Sequence, residues 1–230
     1  MTRYLFPLGL GLAGAAVLLA LGAWQLRRLE WKEGVLAEIE ARIAAEPGPL
    51  PAEIDPEADR YRPVKVTGET GGRELHVLVS LKGVGAGFRV ITAFETDAGR
   101  RLLLDRGFVA NAAKDAPRPP APLSVTGTLH WPDDRDRFTP QNDPEANYWY
   151  ARDLPQMAEA LSTEPVLIVA RATDPAQAGI APLPVGTDGI PNNHLGYAIQ
   201  WFGLATVWLG MTALWIRRIA RAGKTERAAS

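Results

Sequence analysis

The fold is decided by the stretch YLFPLGLGLAGAAVLLALGAWQL, residues 4–26, which contains no Asp, Glu, Lys or Arg over 23 positions. A second stretch of 28 residues without these charges lies between Asp188 and Arg217. A bilayer core about 30 Å thick requires roughly 20 apolar residues in a helix. We therefore predict transmembrane helices at 4–26 and 194–216, although the whole chain has a net charge of −1 and a mean hydropathy of −0.08.

The first stretch could instead be a secretory signal with Ala20-Leu21-Gly22 as its cleavage site. Its apolar run is longer than the roughly 7 to 15 residues of an ordinary signal core. Trp24 also stands where an interfacial aromatic residue belongs. These two features favour a helix that is retained in the membrane.

Positive charge near the membrane ends predicts the orientation of the chain. The segment 217–230 carries five Lys and Arg residues and one Glu, and such a tail is retained in the cytoplasm. Arg27, Arg28 and Lys32 flank the first span and oppose this orientation, but the tail has more cations within about 15 residues of its span. We expect both termini in the cytoplasm and the acidic middle part, with 19 Lys and Arg against 25 Asp and Glu, outside.

The part between the spans divides by its periodicity. Helical spacing predicts an amphipathic extension of the first helix over 27–46, which a run of prolines ends. Two-residue periodicity predicts an antiparallel β-rich domain over 60–173, a barrel or a sandwich, followed by a linker over 174–193. Asp153 is placed to cap a helix over Leu154–Leu161. The predicted strands are Arg62–Glu69, Glu74–Leu81, Phe88–Glu95, Arg100–Arg106, Leu123–Trp131 and Val166–Arg171.

The predicted fold class is therefore a membrane α+β protein. Two transmembrane helices flank an extracytoplasmic antiparallel β-rich domain that contains one or two helices of its own. The 14 residues of the basic tail are too few to form a further domain.

Composition excludes several kinds of chemistry. The chain has no Cys and only three Met, which rules out disulfides, thiolate metal sites and a catalytic thiol and disfavours soft copper ligation. The glycines of 83–87 lie between predicted strands and indicate a hairpin loop rather than a nucleotide loop. We interpret the alternating acids and arginines of 133–137 as a solvated charge run, His76 and His130 as surface or strand histidines, and Arg106 as an exposed turn cation. We predict that the protein is not an enzyme.

His194 differs from the other histidines because it opens the second span at its predicted outer end. At 100° per residue, it shares a helix face with Tyr197 and Trp201. A groove of glycines lies on the opposite face, and we expect this groove to pack on small residues of the first span. The glycines are Gly196, Gly203 and Gly210, and the small residues are Gly9, Ala13, Ala16 and Ala20.

This packing would leave the histidine face for lipid, a partner helix or a flat aromatic cofactor. A neutral imidazole beside aromatic side chains is suitable as an axial ligand of haem iron. The alternative is an interfacial histidine within an aromatic belt. Spacing alone leaves both interpretations open.

Motifs along almost the whole chain connect these features to a known family. They are Gly22-x-Trp24-Gln25-x-x-Arg28, Trp31-Lys32, Tyr61-Arg62-Pro63-Val64-x-Val66-x-Gly68, Gly87-Phe88-x-Val90-Ile91-Thr92, Leu104-Asp105-Arg106-Gly107-Phe108-Val109, Asn142-Asp143-Pro144, Asn147-x-Trp149, Arg152-Asp153-Leu154 and Asn192-Asn193-His194-Leu195-x-Tyr197-Ala198-x-x-Trp201-Phe202. In this order they resemble the surfeit-locus (Surf/Shy) family of membrane assembly factors for cytochrome c oxidase. Asp105 and Gln200 depart from the commonest pattern, which has Asn and Thr there.

The resemblance implies a non-catalytic protein of the bacterial cytoplasmic (inner) membrane with its main domain in the periplasm. It implies that the protein assists haem a insertion into, or maturation of, oxidase subunit I, with transient haem a binding in which His194 ligates the iron. The shared helix face adds Tyr197 and Trp201 as candidate haem-binding residues. The expected partners are subunit I, haem a synthase, other oxidase assembly factors and the membrane, and not nucleic acid. The alternative is a membrane-anchored scaffold that stabilises an oxidase assembly intermediate without binding haem.

Overall fold

The computed structural model describes residues 2–228. Two long helices lie near the ends of the chain: α1, Leu5–Ala44, and α3, His194–Ala228. Both contain a segment long and apolar enough to cross a membrane, in α3 within His194–Ala222. α1 joins the predicted first span and its extension without a break, but it begins one residue after 4 and ends two residues before 46. The predicted basic tail continues α3, and residues 229 and 230 lie outside the described part.

Five strands form a closed barrel, which is the first of the two predicted β architectures. Their order around the barrel is β1-β2-β3-β5-β4, and β4 pairs again with β1. The strands are β1 Pro63–Leu81, β2 Gly85–Thr96, β3 Arg101–Ala110, β4 Pro122–His130 and β5 Leu167–Asp174.

The barrel is not purely antiparallel, contrary to the prediction. β3 and β5 are parallel, with Leu103 opposite Leu167 and Asp105 opposite Val169. The other four pairs of neighbours are antiparallel. Strand direction cannot alternate all the way around a closed ring of five, so closure itself requires one parallel pair.

The first two predicted strands are a single strand, which is a second correction. β1 pairs with β4 through Pro63–Glu69 and with β2 through Gly68–Leu81, with a bulge between Thr70 and Glu74 where a turn was predicted. A Cβ at Gly68 would lie 2.2 Å from the backbone oxygen of Glu95. Glycine therefore allows the backbone of β1 to pass close to β2, so that one bent strand pairs with both β2 and β4.

Alternation along the strands separates two apolar cores. One fills the barrel, with fully buried Phe94, Leu102 and Leu104 among its members. The other lies on the outer face of the sheet beneath α2, Leu154–Leu161, and includes Leu103 and Trp149. Asp153 caps α2 by accepting a hydrogen bond from the Gln156 amide, as its position predicted.

The predicted linker, 174–193, contains a segment that docks on the barrel. Phe108 and Ala181 exchange two backbone hydrogen bonds of 2.7 and 2.9 Å, and Ile180 is buried against Phe88 and neighbouring residues. The contact requires Gly107, because its φ is +124° and a Cβ there would lie 2.3 Å from the Ala181 oxygen. The linker therefore covers one part of the barrel before the chain reaches α3.

Candidate functional site

α1 and α3 pack against each other in opposite directions along stripes with coiled-coil spacing. Buried and half-buried residues recur at alternating intervals of three and four positions, the spacing that places a seam on one face of each helix. They are Pro7, Gly11, Gly14, Leu18, Leu21 and Gln25 in α1, and His194, Ala198, Trp201, Ala205, Trp208 and Thr212 in α3.

Glycines of α1 receive large side chains of α3. A Cβ at Gly14 would lie 2.4 Å from Trp208 Nε1, and one at Gly22 would lie 2.6 Å from Phe202 Cε1. The Trp208 indole also donates a 2.9 Å hydrogen bond to the backbone oxygen of Gly11. The missing side chains therefore allow aromatic rings of α3 to reach the backbone of α1.

The predicted packing of the α3 glycines on α1 is wrong. Cβ atoms at Gly196, Gly203 and Gly210 would meet no heavy atom within 4 Å in the described part of the chain, and Gly9 is equally open. The helical wheel grouped the residues of α3 correctly but assigned the contact to the wrong face. The space is provided by the glycines of α1, so the histidine face is the one that packs.

His194 is joined to α1 by a polar contact at one end of this seam. Its Nδ1 lies 2.7 Å from Gln25 Oε1. With the amide oxygen as acceptor, the imidazole carries its proton on Nδ1, so the Nε2 lone pair is available. Nε2 makes no hydrogen bond to the residues that the structure describes.

Tyr197 and Trp201 take different positions around His194. Trp201, seven residues along, is partly buried on the same α1-facing stripe. Tyr197 lies on the neighbouring flank and is 50% exposed. The site therefore combines an oriented imidazole, one packed aromatic ring and one accessible aromatic ring.

Gln25 belongs to a motif near the end of the first span, but the sequence alone assigned it no role. Polar side chains within an apolar helix need a partner, since an unpaired amide in hydrocarbon is costly. That argument could have marked Gln25. The identity of its partner depends on the register of the two helices, which only the folded pair shows.

Two further contacts lie at the same end of the helix pair. Lys32 donates to the backbone oxygen of Pro191, and the Arg28 guanidinium lies 3.8 Å from the Trp31 ring centroid. Both involve motif residues that follow the first span. The Lys32 contact joins the segment before His194 to α1. The Trp31 ring covers one face of the Arg28 guanidinium.

The barrel contains a buried charge cluster that sequence reasoning missed. Glu74 accepts from Arg106 Nη1 at 2.7 Å and from Arg118 Nε at 2.8 Å, and His76 Nε2 lies 3.5 Å from it. Burial alone would raise the pKa of Glu74, but hydrogen bonds from His76 and Arg118 and the charges of Arg118 and Arg106 together lower it. Arg106 is only 5% exposed, so its predicted exposed position is wrong. His76 is 7% exposed and lies in β1, so of its two predicted positions the strand is confirmed and the surface is wrong.

A second cluster surrounds Asp105, whose side chain is fully buried. Asp105 pairs with Arg89 at 2.6 Å and accepts the Gly107 amide at 3.1 Å, while Arg152 lies 3.8 Å away and binds Asp134 at 2.6 Å. Positive and negative side chains alternate along this series of contacts. Their attraction compensates for part of the free energy that burying the charges costs.

His130, the last residue of β4, lies beside this cluster and is partly buried, so the predicted strand position is confirmed. Burial lowers its pKa to about 4, and the nearby charges of Arg152 and Arg60 act in the same direction. Its ring lies 5.6 Å from that of Tyr61. The imidazole is therefore neutral at neutral pH.

The acidic run at 133–137 is only partly a solvated charge run. Asp134 binds Arg152, whereas Asp136 accepts the Phe138 and Thr139 amides in a local turn. Among residues 2–228, no group of three or more His, Cys, Asp or Glu side chains could hold a metal ion. The predicted hairpin between β1 and β2 is confirmed, but its loop is 82–84, and the residues from Gly85 onward belong to β2. Gly83 and Gly85 have positive φ.

The chain is of the class in which a β-barrel domain lies, in sequence, between two apolar helices. A histidine–glutamine hydrogen bond joins these two helices to each other. The model of the SURF1 family matches residues 12–206. The chain therefore belongs to the SURF1 family, which is the surfeit-locus family indicated by the motifs.

Individual relatives agree with this assignment. Surfeit locus protein 1 of Mus musculus is 31% identical over 212 residues, which cover 81% of this chain and 68% of that protein. The Homo sapiens protein of the same name is 31% identical over 208 residues, covering 79% and 68%. A SURF1-like protein of Monosiga brevicollis is 35% identical over 207 residues, covering 81% and 78%. The residues matched by the family model include the whole barrel, most of α1 and the first part of α3.

Proposed function

We propose that the protein is a non-enzymatic assembly factor for cytochrome c oxidase that presents haem a at His194 during the maturation of subunit I. Membership of the SURF1 family supports a role in oxidase assembly. The hydrogen bond between His194 and Gln25 carries the haem part of the proposal. Haem a, when bound, supplies the iron and the macrocycle that the maturing subunit needs.

The residues around His194 suit this group. An imidazole that donates Nδ1–H to an acceptor keeps Nε2 directed for metal binding, and such outer partners raise the basicity of the ligand. Asn192 Oδ1 is buried without a hydrogen-bond partner among the described residues, so a donor on a bound group or protein would satisfy it. Tyr197 offers an accessible aromatic ring on the flank of the histidine stripe, and Trp201 offers the uncovered part of a packed ring on the stripe itself.

Subunit I is the proposed recipient of haem a, with haem a synthase and other oxidase assembly factors as further partners.

The second candidate function is a scaffold that binds subunit I without haem. The packing of Trp201 and Trp208 against α1 favours it, because these rings are already partly covered. Haem content separates the two candidates directly.

The test of haem binding is an optical spectrum of the purified full chain, coexpressed with haem a synthesis. We expect haem a in the wild type and its loss in His194→Ala, while Leu195→Ala, a change at an exposed neighbour, retains it. Equal haem content in wild type and His194→Ala would reject the ligand assignment. Haem-free wild type that copurifies with subunit I would establish the scaffold instead.

The role in oxidase assembly is tested separately in a deletion strain. We expect lower oxidase activity and a weaker haem a absorbance in membranes, both restored by the wild-type gene. Unchanged activity and absorbance would overturn the proposed role, whatever the purified protein binds.

We further propose that the protein is an integral protein of the bacterial cytoplasmic membrane with both termini in the cytoplasm and the barrel in the periplasm. The two apolar helices and the basic residues after α3 support this arrangement. Resistance of the membrane-bound protein to alkaline carbonate extraction tests its integral character. Release into the soluble fraction would reject it.

A further inference from the structure

An apolar groove runs between α1 and α3 at the end of the pair opposite to His194. Its volume is about 440 Å³. Apolar side chains form most of its wall, and one cation stands at its end. The lining residues that carry the argument are Pro7, Leu10, Trp208, Met211, Trp215 and Arg218.

The wall of the groove is held in place by contacts between the helices. Trp208 uses its only polar hydrogen in the bond to Gly11, and Trp215 packs edge-on against Phe6 with ring centroids 6.3 Å apart. Met211 and Trp215 nevertheless remain 63% and 42% exposed. The groove is therefore a formed apolar surface whose polar atoms inside the wall are satisfied.

The dimensions of the groove match a single leaflet. From Trp208 to Arg218 α3 advances ten residues, or about 15 Å. This distance is half of a hydrocarbon core about 30 Å thick. An acyl chain lying along the groove would therefore reach from the interface to the middle of the bilayer.

Charge selects the kind of lipid. Arg218 ends the groove, and Arg217 precedes it at the predicted membrane boundary. A long cationic side chain at this position extends to the headgroup region. Basic pockets between membrane helices on the cytoplasmic side suit anionic headgroups.

We propose that this groove binds an anionic phospholipid of the cytoplasmic leaflet, with one acyl chain between Leu10 and Met211 and the headgroup phosphate at Arg218. The proposal rests on the membrane location in the proposed function and is independent of haem binding. A partner helix would meet an arginine at the groove's end, whereas an anionic lipid supplies both the apolar chain and the compensating charge.

The experiment uses the full chain purified from cells that do not make haem a. Native mass spectrometry counts the lipids retained after equilibration with phosphatidylglycerol or phosphatidylcholine of identical acyl chains. We expect the wild type to retain phosphatidylglycerol about fivefold better, the factor for one cation near an anionic lipid. Arg218→Gln should abolish this preference, and the matched variant Arg217→Gln should keep it. Met211→Trp should fill the groove and reduce the retention of both lipids.

Equal retention of the two lipids by wild type would overturn the proposal. So would an equal loss of preference in Arg217→Gln and Arg218→Gln, which would indicate unspecific attraction to the basic end. A dimer without lipid would assign the groove to a second copy. Carbonate extraction of the membranes from which the chain is purified distinguishes failure of the lipid site from failure of the membrane location, because an integral protein with no lipid preference rejects only the lipid site. Release by carbonate rejects the membrane location as well.

Discussion

Gln25 shows how one side chain can determine the chemistry of another on a different helix. Considered by itself, the imidazole of His194 can carry its proton on either ring nitrogen. The 2.7 Å contact between Nδ1 and Gln25 Oε1 places that proton on Nδ1. The available Nε2 is thus a property of the pair and not of the histidine.

Substitution of Gln25 should weaken haem binding without removing the ligand. We expect Gln25→Leu to lower haem a affinity about 10- to 100-fold, the usual effect of losing an outer-shell partner, whereas Gln25→Glu keeps an acceptor and much of the affinity. The measurement is a titration of the purified apoprotein with haem, followed by its absorbance. Equal affinities in wild type and Gln25→Leu would show that the contact is structural only.

His130 should make the stability of the protein depend on pH. Its pKa is lowered to about 4 in the folded state, against about 6.5 in the unfolded chain. The unfolded state therefore binds more protons as the pH falls from about 6.5 to 4, and up to about 3 kcal/mol of stability is lost in this window. His130→Phe keeps a ring beside Tyr61 and should remove this part of the pH dependence. Thermal unfolding followed by near-ultraviolet circular dichroism measures it, and identical slopes for both proteins would contradict the assignment.

At the scale of elements, the packing of α1 on α3 is determined by which small residues face the other helix. The presence of a small-residue stripe does not by itself determine it. α3 carries three glycines in line, but they face away from α1. α1 carries glycines that oppose Thr212, Trp208 and Phe202, so large residues fill small gaps. A stripe of small residues therefore predicts that close packing is possible, but not which helix uses it.

The two glycine stripes predict opposite responses to the same substitution. Gly14→Val should place a branched side chain into the Trp208 ring and destabilise the pair by about 1–3 kcal/mol. Gly203→Val adds the same side chain where no described atom lies within 4 Å, so it should have a much smaller effect. The midpoint of thermal unfolding in detergent, measured at 222 nm, compares them. A larger loss in Gly203→Val would support the packing that was predicted from the sequence.

At the scale of the whole molecule, the chain segregates its charge. The apolar helices, the acidic middle part and the basic tail cancel in the average, which explains a net charge of −1. Within the barrel, the charges that look like surface residues in the sequence are instead paired inside it, as Glu74 and Arg106 show. Segregation along the chain thus predicts orientation, while pairing within the barrel contributes to the fold.

The absence of Cys makes the orientation directly measurable. We expect a membrane-impermeant maleimide to label Phe138→Cys, at a side chain that is 76% exposed in the barrel domain, in cells whose outer membrane alone is permeable. Lys224→Cys, in the basic tail, should react only after the inner membrane is opened. Labelling of Lys224→Cys in intact spheroplasts would reverse the proposed topology.

The sequence alone determined the two apolar spans, the helical extension of the first span, α2 with its cap, and most strand positions. These features depend on local periodicity and composition, which neighbouring residues express directly. The family was equally accessible, because its motifs lie in order along the chain.

Only the tertiary structure decided the parallel pair β3–β5, the continuity of β1, the buried positions of His76 and Arg106, and the helix face that packs. Each of these depends on contacts between distant parts of the chain, including barrel closure, strand register and the fit of side chains into gaps. The contact between Gln25 and His194 is of the same kind, since it joins residues 169 positions apart. Local pattern cannot specify such partners, because the free energy that selects them arises only when the elements pack.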